Sequence, residues 1–125
     1  MPLDLDTANA MLGGLRTYPV AVTTLAEGRA NGLMSLSAGM ASIVPEAPRV
    51  TISLTKYNLT HHMVMRSGVF CVHLLGNAPD QLEASLAILM ALGGSSGRDG
   101  DKLGRLATRP GVTSSPILQD ALCYV

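Results

Sequence analysis

The alternation of apolar and polar positions along the chain predicts strands in sequence, with helices inserted between them. Val50, Ile52 and Leu54 alternate with threonine and serine, the pattern of a strand with one buried and one polar face. Because the order lacks regular βαβ alternation, it favours a mainly β fold with a few helices, an antiparallel barrel, over a doubly wound parallel sheet. Further strands are predicted for "VAVTTLA", "GLMSLSAGMASIV", "VFCVHLL" and the final "ALCYV".

Three segments carry the spacing of helices. In the first, apolar side chains recur at i, i+3, i+4 and i+7 from near Asp6 or Thr7. A second helix of one or two turns is expected from Thr60 to about Ser67, and a third, longer one ends at Gly93. The segments "SSGRDGD" and "RPGVTSSPIL" are interpreted as a mobile loop and an irregular connector.

Length and composition limit the classes of protein. The 125 residues fit one domain, and the nine basic and nine acidic side chains cancel, so nucleic acid is not expected as a partner. Hydrophobic residues reach 47%, yet the longest apolar run extends only from Leu86 to Leu92, far short of the ~20 residues of a membrane span. No membrane partner is therefore expected, and the apolar excess predicts a subunit interface, as in a homodimer.

The N-terminal segment "MPLDLDTANAM" has acidic residues and no apolar core of a signal peptide, which predicts a cytoplasmic protein. In that compartment Cys71 and Cys123, both in apolar strand-like runs, are predicted to be buried free thiols. The spacing of residues reveals no nucleophile with its base, so the catalytic residues are unknown and a cofactor is expected to carry any redox chemistry.

The three histidines raise the question of a metal site. His61 and His62 are adjacent and point in different directions on a helix, and no cysteine or histidine has zinc-site spacing. His73 alternates with Cys71 in a strand, which is typical of a packed or hydrogen-bonded histidine. We therefore expect no metal.

The stretch "TKYNLTHH" allows two interpretations. A helix that starts at Thr60 leaves free N–H groups there, and Lys56 and Asn58 add a charge and a polar side chain, which together could seat a phosphate. Alternatively, Thr60 only caps the helix and Lys56 is solvated.

The stretch "SLSAGMAS" is unusual for a strand. Ser35, Ser37 and Gly39 share one small, polar face, which allows a ligand or a partner strand to approach the backbone closely. A tight dimer contact or a bulge explains the same pattern.

The stretch "GGSSGRDGD" does not fit a known phosphate or calcium loop. It lacks the Gly-Lys-Ser/Thr ending of a nucleotide-triphosphate loop and the ligand spacing of a calcium loop. No Gly-x-Gly-x-x-Gly fingerprint follows the first strand either, so a Rossmann dinucleotide site is excluded.

Taken in order, these segments resemble the flavin reductase-like family, the FMN-binding split barrels. The resemblance covers roughly Leu15 to the C-terminus and depends on the order and spacing of several weak motifs. Those motifs are Val20–Thr24, Gly32–Ser42, Pro48–Leu54, Asn58–Thr60, Ser67–Leu74, "GDKL" and "RPGVTSSPIL".

The resemblance implies a split antiparallel β-barrel that dimerises and binds flavin at or near the subunit interface. By the same resemblance, the small-residue strand lies against the isoalloxazine ring, and the turn before the second helix holds the phosphate. Carried over residue by residue, the ring contacts are Ser35, Leu36, Ser37 and Ala38, with Ser42 near the ribityl-phosphate end, and the phosphate contacts are Lys56, Asn58 and Thr60, with His61 beside them.

The implied activity is that of an FMN-dependent oxidoreductase in which a hydride passes from NADH or NADPH to flavin N5. FAD or a deazaflavin are alternatives to FMN, and a non-catalytic electron carrier or a degenerate dimeric barrel are alternatives to the enzyme. The sequence departs from the family pattern at Leu36, at Ala38, where an aromatic is common, and at Leu103, where phenylalanine is usual. Family members usually continue beyond the strand that begins near Val125, so the barrel's last strands are expected to be missing, short or supplied by a partner chain.

Overall fold

The computed structural model of the protein describes residues 4–15 and 17–125. Three helices and eight strands form in this part of the chain, and all strand pairs are antiparallel. The predicted mainly β architecture with inserted helices is therefore confirmed. The helices are α1 (Leu5–Gly13), α2 (Leu59–Ser67) and α3 (Leu82–Gly93), and the strands are β1 (Val20–Ala26), β2 (Arg29–Ser35), β3 (Gly39–Met40), β4 (Val50–Thr51), β5 (Cys71–Leu74), β6 (Thr108–Pro110), β7 (Pro116–Leu118) and β8 (Cys123–Tyr124).

The main sheet has four strands in the order β2-β1-β5-β8, and β3-β4 and β6-β7 form two small sheets beside it. Strand β1 is buried along nearly its whole length because side chains pack against both of its faces. On one face Ala21 packs with Ile88 and Leu92 of α3. On the other face Val20 and Val22 pack with residues that include Leu33, Val50 and Ile52.

The predicted long strand "GLMSLSAGMASIV" is interrupted. β2 ends at Ser35 and pairing resumes only at Gly39, because the Ser37 hydroxyl takes over the local hydrogen bonds. It donates to the Ser53 carbonyl at 3.1 Å and accepts from the Ser53 N–H at 3.3 Å. In "RVTISLTK" the predicted alternation holds to Thr55, although Val50, Ile52 and Leu54 are half-buried rather than buried and ladder pairing is confined to Val50–Thr51.

Two further expectations are wrong. The connector "RPGVTSSPIL" is a hairpin of β6 and β7, in which Ser114 adopts a left-handed φ of 66° and Gly111 donates to the Ser115 carbonyl at 2.9 Å. Its prolines at paired strand ends conceal it from sequence patterns. Cys123 is exposed rather than buried, because β8 lies at the edge of the main sheet, whereas Cys71 is buried as predicted.

The first helix begins earlier than expected, at Leu5, because the Asp4 carboxylate caps it by accepting from the Thr7 N–H at 2.9 Å. Its predicted apolar face is not buried, since Met11 and Leu12 are each 63% exposed. Among residues 4–15 and 17–125, no helix has the length and apolar character to cross a membrane.

Candidate functional site

A polar cleft of about 560 Å³ lies at the start of α2, beside the edge strand β2. Three segments that are distant in sequence form its walls: part of β2, the first residues of α2, and the loop that follows α3. The lining residues are Asn31, Leu33, Met34, Asn58, Leu59, Thr60, Leu92, Gly93, Gly94, Ser95, Ser96, Gly97, Arg98, Asp99 and Lys102.

The α2 wall presents unpaired backbone donors. Asn58 is the N-cap residue, extended at φ −76° and ψ 137°, and its side chain makes no capping hydrogen bond within the described residues. The N–H groups of Leu59 and Thr60 likewise donate to no acceptor in the described part of the chain. Because the helix dipole adds a partial positive charge there, this wall favours an anion.

The prediction that Thr60 caps α2 is wrong. The helix begins at Leu59, one residue earlier than expected, because Asn58 already has the extended conformation of an N-cap. Thr60 is instead the second helical residue and only 2% exposed. Its Oγ1 accepts a hydrogen bond of 3.1 Å from Nδ2 of Asn31.

The loop after α3 brings the cations. Arg98 and Lys102 both line the cleft, together with the single acid Asp99. Lys102 is only partly exposed, and this burial lowers the pKa of its ammonium group below the usual 10.5. An anion in the cleft would offset that desolvation, because it stabilises the charged form of the lysine.

This loop is the part of the site that sequence reasoning missed. The prediction treated "SSGRDGD" as a mobile loop, whereas Gly97 is buried and its carbonyl accepts a hydrogen bond from the Arg29 guanidinium. The available signal was the pair Arg98 and Lys102 within a Gly/Ser-rich segment. Nothing in their spacing shows that they lie beside α2.

The small-residue segment does not line the polar cleft. Ser35 and Ser37 are hydrogen-bonded to each other, with 3.0 Å between their hydroxyl oxygens, and Leu36 is exposed. Ala38 instead lines a separate apolar cavity of about 510 Å³. The other residues of this cavity are Thr17, Tyr18, Val20, Gly39, Val50, Val72, Leu74, Cys123, Tyr124 and Val125.

The remaining residues predicted for the site lie apart from the cleft lining. Ser42 accepts a hydrogen bond of 3.1 Å from the Val44 N–H, and Lys56 is exposed in the turn before α2. His61 is in the first turn of α2, where its Nδ1 is buried without a partner among the described residues. The structure thus brings Asn58 and Thr60 together in the cleft, with Lys56 and His61 as neighbours in sequence.

The buried thiol and imidazole form a structural pair. Cys71 Sγ lies 3.6 Å from Nε2 of His73, but that nitrogen accepts from the Leu118 N–H at 3.1 Å, and Nδ1 donates to the Ala21 carbonyl at 3.2 Å. Burial raises the pKa of the thiol and lowers the pKa of the imidazole, so both are neutral at neutral pH. The expectation of a hydrogen-bonded His73 is confirmed. Within the described ranges, no three His, Cys, Asp or Glu side chains cluster as metal ligands.

Several solved structures have a fold similar to that of this chain. Nitrilotriacetate monooxygenase component B from Mycobacterium thermoresistibile superposes with a TM-score of 0.77 at 28% identity, over 96% of this chain and 61% of that one. The FMN-binding protein from Thermus thermophilus with bound 1-cyclohex-2-enone gives 0.72 at 22%, over 89% and 57%. Flavoredoxin of Desulfovibrio vulgaris (Miyazaki F) gives 0.69 at 22%, over 95% and 61%. The chain spans about three fifths of the length of these proteins.

The comparison at the level of sequence is more specific. No curated protein matches the sequence significantly. The family profile described as the flavin reductase like domain, however, matches residues 12–125, nearly the whole chain. The resemblance inferred from the motifs is thereby confirmed, and the chain belongs to the flavin reductase-like family.

Proposed function

We propose that the 125 residues form one FMN-binding domain of the split-barrel type, and that the protein is an NAD(P)H-dependent oxidoreductase of the flavin reductase type. The observation that carries the proposal is the polar cleft. There Leu59 and Thr60, whose N–H groups donate to no acceptor among the described residues, line the same space as Arg98 and Lys102. This is the donor set that a phosphate monoester requires.

The charge of the cleft favours FMN over the other flavins. Arg98 and Lys102 are two cations, partly offset by Asp99, and the helix start adds a partial positive charge. A terminal phosphate with a charge near −2 matches this arrangement better than the diester phosphates of FAD or a deazaflavin. We therefore assign the phosphate to Asn58, Leu59, Thr60, Arg98 and Lys102, with Lys56 and His61 outside its immediate contacts.

The segment between β2 and β3 is suited to lie beside the isoalloxazine ring. It lies outside any ladder, and the N–H groups of Leu36 and Ala38 donate to no acceptor within the described residues. Free backbone donors suit the polar edge of an isoalloxazine. Ser35 and Ser37 hold this segment in place through their mutual hydrogen bond, and Ser42 lies beyond it, after β3.

The chain's own contribution to a reaction would be binding and orientation. The bound flavin would supply the redox chemistry, accepting at N5 a hydride from C4 of the nicotinamide of NAD(P)H. The cleft is lined by the ionisable side chains of Arg98, Asp99 and Lys102, but these would surround the phosphate and not the reacting N5, so we assign none of them a proton transfer. Positioning by the cleft and by the 36–38 segment is the role that remains for the protein.

A homodimer belongs to the same proposal. Met40 is 81% and Ile43 is 92% exposed, and Leu36 and Val44 expose apolar surface on the same segment. A cluster of this kind is typical of a subunit interface. If the proposal is right, size-exclusion chromatography with light-scattering detection should give twice the monomer mass. The monomer mass at all concentrations would contradict the proposal.

The test of the function is a comparison of flavins followed by turnover. Purified protein is titrated with FMN, riboflavin and FAD by quenching of flavin fluorescence, and then assayed for oxidation of NADH and NADPH with FMN present. We expect FMN to bind at least about tenfold tighter than riboflavin, since charged hydrogen bonds contribute about 1.5–3 kcal/mol each. We also expect repeated oxidation of the nicotinamide. FMN binding without oxidation would favour the electron carrier, and the absence of flavin binding would refute the proposal.

A further inference from the structure

We propose that Asn31 is a positioning residue of the cleft. Its side chain orients the Thr60 hydroxyl toward the phosphate and sets how closely the Gly97 backbone approaches β2. The inference rests on the proposed function, because the phosphate of FMN is the group that these contacts would serve. Asn31 lies in β2, paired with Thr24 of β1, and is 3% exposed. It lies on neither α2 nor the loop, yet touches both.

The contact with α2 determines where the Thr60 proton points. Nδ2 of Asn31 donates to Oγ1 of Thr60 at 3.1 Å, so the threonine oxygen is the acceptor in this pair. A hydroxyl that accepts one hydrogen bond keeps its own proton for another partner. In the described residues the Thr60 hydroxyl donates to no other group, and Thr60 lines the cleft, so its proton is available to an anion there.

The contact with the loop is steric. A Cβ added at Gly97 would lie 2.2 Å from Oδ1 and 2.7 Å from Nδ2 of Asn31. The three nearest atoms to that position all belong to Asn31, so the backbone of the loop lies directly against this amide. Arg29 also holds this backbone by donating to the Gly97 carbonyl. Arg98 follows immediately, so the position of the Asn31 amide helps to set where this cation enters the cleft.

The two contacts make different demands on residue 31. To leave the Thr60 proton free for the phosphate, the side chain of residue 31 must donate an N–H, which alanine and aspartate cannot do. To let the Gly97 backbone lie against it, the same side chain must be short. Asn31→Asp keeps the size but reverses the hydrogen bond, because a carboxylate only accepts and Thr60 must then donate to it. Asn31→Ala removes both contacts.

The experiment measures the dissociation constants of FMN and riboflavin for the wild type and for Asn31→Ala, Asn31→Asp and the control Asn77→Ala, an exposed asparagine outside the cleft. We expect FMN to bind about tenfold weaker to Asn31→Ala, the scale of one hydrogen bond to a charged group. Asn31→Asp should lose more because it also adds a negative charge. Riboflavin should bind all four proteins within twofold.

Two double variants separate positioning from general damage. If Asn31 acts through Thr60, Asn31→Ala should cost FMN affinity in the wild type but little further in a Thr60→Val background. If the amide limits the approach of the loop, Gly97→Ala should weaken FMN binding alone and have no added effect beside Asn31→Ala, where the clash is gone. Additive losses in both cycles would overturn the inference.

The outcomes distinguish the inference from the function beneath it. A wild type that does not prefer FMN to riboflavin would refute the phosphate cleft itself. A wild type with that preference, and an Asn31→Ala variant that retains it, would overturn only the role of Asn31. Equal weakening of FMN and riboflavin would also overturn it, since that result indicates lost structure. If Asn31→Ala does not fold, Asn31→Leu has nearly the native size, lacks the N–H donor, adds no charge and carries the same comparison.

Discussion

The polar cleft and the apolar cavity are nearly equal in size, about 560 Å³ and 510 Å³, and opposite in chemistry. The cleft is lined by hydroxyls, backbone N–H groups and two cations. The lining of the cavity includes Val20 and Val72 of the hydrophobic core cluster on one sheet face, and Val50, which packs against that cluster. Volume alone therefore does not identify the site of a charged ligand. The combination of unpaired donors and cations does, because the free N–H groups at the start of α2 lie beside Arg98 and Lys102, whereas no lysine or arginine among the described residues lines the cavity.

The largest expected effect comes from the cations of the cleft. Replacing Arg98 and Lys102 together by alanine should weaken FMN binding about 100-fold, since two charge-assisted hydrogen bonds are lost. Riboflavin, which has no phosphate, should bind nearly as before. Titrations of both flavins check this, with Arg49→Ala/Arg105→Ala as a control of equal charge outside the cleft. Equal losses in the two double variants would mean that net charge alone attracts the flavin, and the distinction between cleft and cavity would fail.

A smaller effect is expected from one backbone donor. Leu59 is the first residue of α2, where proline is tolerated, and Asn58 before it is already extended as proline requires. Leu59→Pro should remove the N–H without destroying the helix and weaken FMN about tenfold. Leu59→Ala keeps the N–H and removes the same contacts of the leucine side chain, so it is the matched control. If both variants bind FMN alike, the helix start does not hold the phosphate.

The cleft should also respond to alkaline pH. Burial lowers the pKa of Lys102, so in the free protein this group loses its charge at a lower pH than an ordinary lysine does, below 10.5. FMN affinity should therefore fall more than riboflavin affinity as pH rises toward 10.5, since the ring that both flavins share titrates equally in each. Lys102→Met should flatten the FMN curve. An equally steep curve in that variant would assign the titration to another group.

The pH dependence of the free energy of unfolding should be set by a different pair of groups, His73 and Cys71. The folded state resists protonation of His73, whereas the unfolded chain takes up this proton near 6.5, so the free energy of unfolding should fall as pH drops below 6.5. The Cys71 thiol determines the alkaline side of the stability curve, since the unfolded chain loses this proton near pH 9.0 and the folded state retains it. Stability should thus fall again above 9.0. Urea unfolding across this pH range checks both losses of stability, and Cys71→Ala should abolish the loss at alkaline pH. A Cys71→Ala protein with an unchanged loss at alkaline pH would contradict the assignment.

The smallest effect is expected at Lys56. This residue matches the family's phosphate turn but is exposed and outside the cleft lining. Lys56→Ala should change FMN affinity less than about twofold, as is usual for an exposed charge. A loss as large as that of the Arg98/Lys102 double variant would move the phosphate toward the turn before α2.

The sequence predicts much of the fold because local patterns encode it. The run of β-branched residues in "VAVTTLA" and the helical spacing before Gly93 locate β1 and α3, and the turn at Asn58 locates the start of α2 to within one residue. The β6-β7 hairpin is not predictable in this way, since its pairing places Pro110 opposite Pro116. No local signal marks such a pair as a ladder.

The candidate site is half predictable for a similar reason. Asn58 and Thr60 follow from the family motif and from helix termini. Asn31, Arg98 and Lys102 do not, because they reach the cleft only when β2, α2 and the loop after α3 fold together. The hydrogen bond between Asn31 and Thr60 joins residues 29 positions apart, and that between Arg29 and Gly97 joins residues 68 positions apart. Spacing rules act within a few residues and do not register such contacts.

The central claim is that the polar cleft, and not the apolar cavity, receives the phosphate of FMN. A crystal structure of the protein with FMN tests this most directly. We predict the phosphate within hydrogen-bond distance of the N–H groups of Leu59 and Thr60, with Arg98 and Lys102 beside it. A phosphate bound at Lys56, or a flavin whose phosphate lies outside the cleft, would contradict the account.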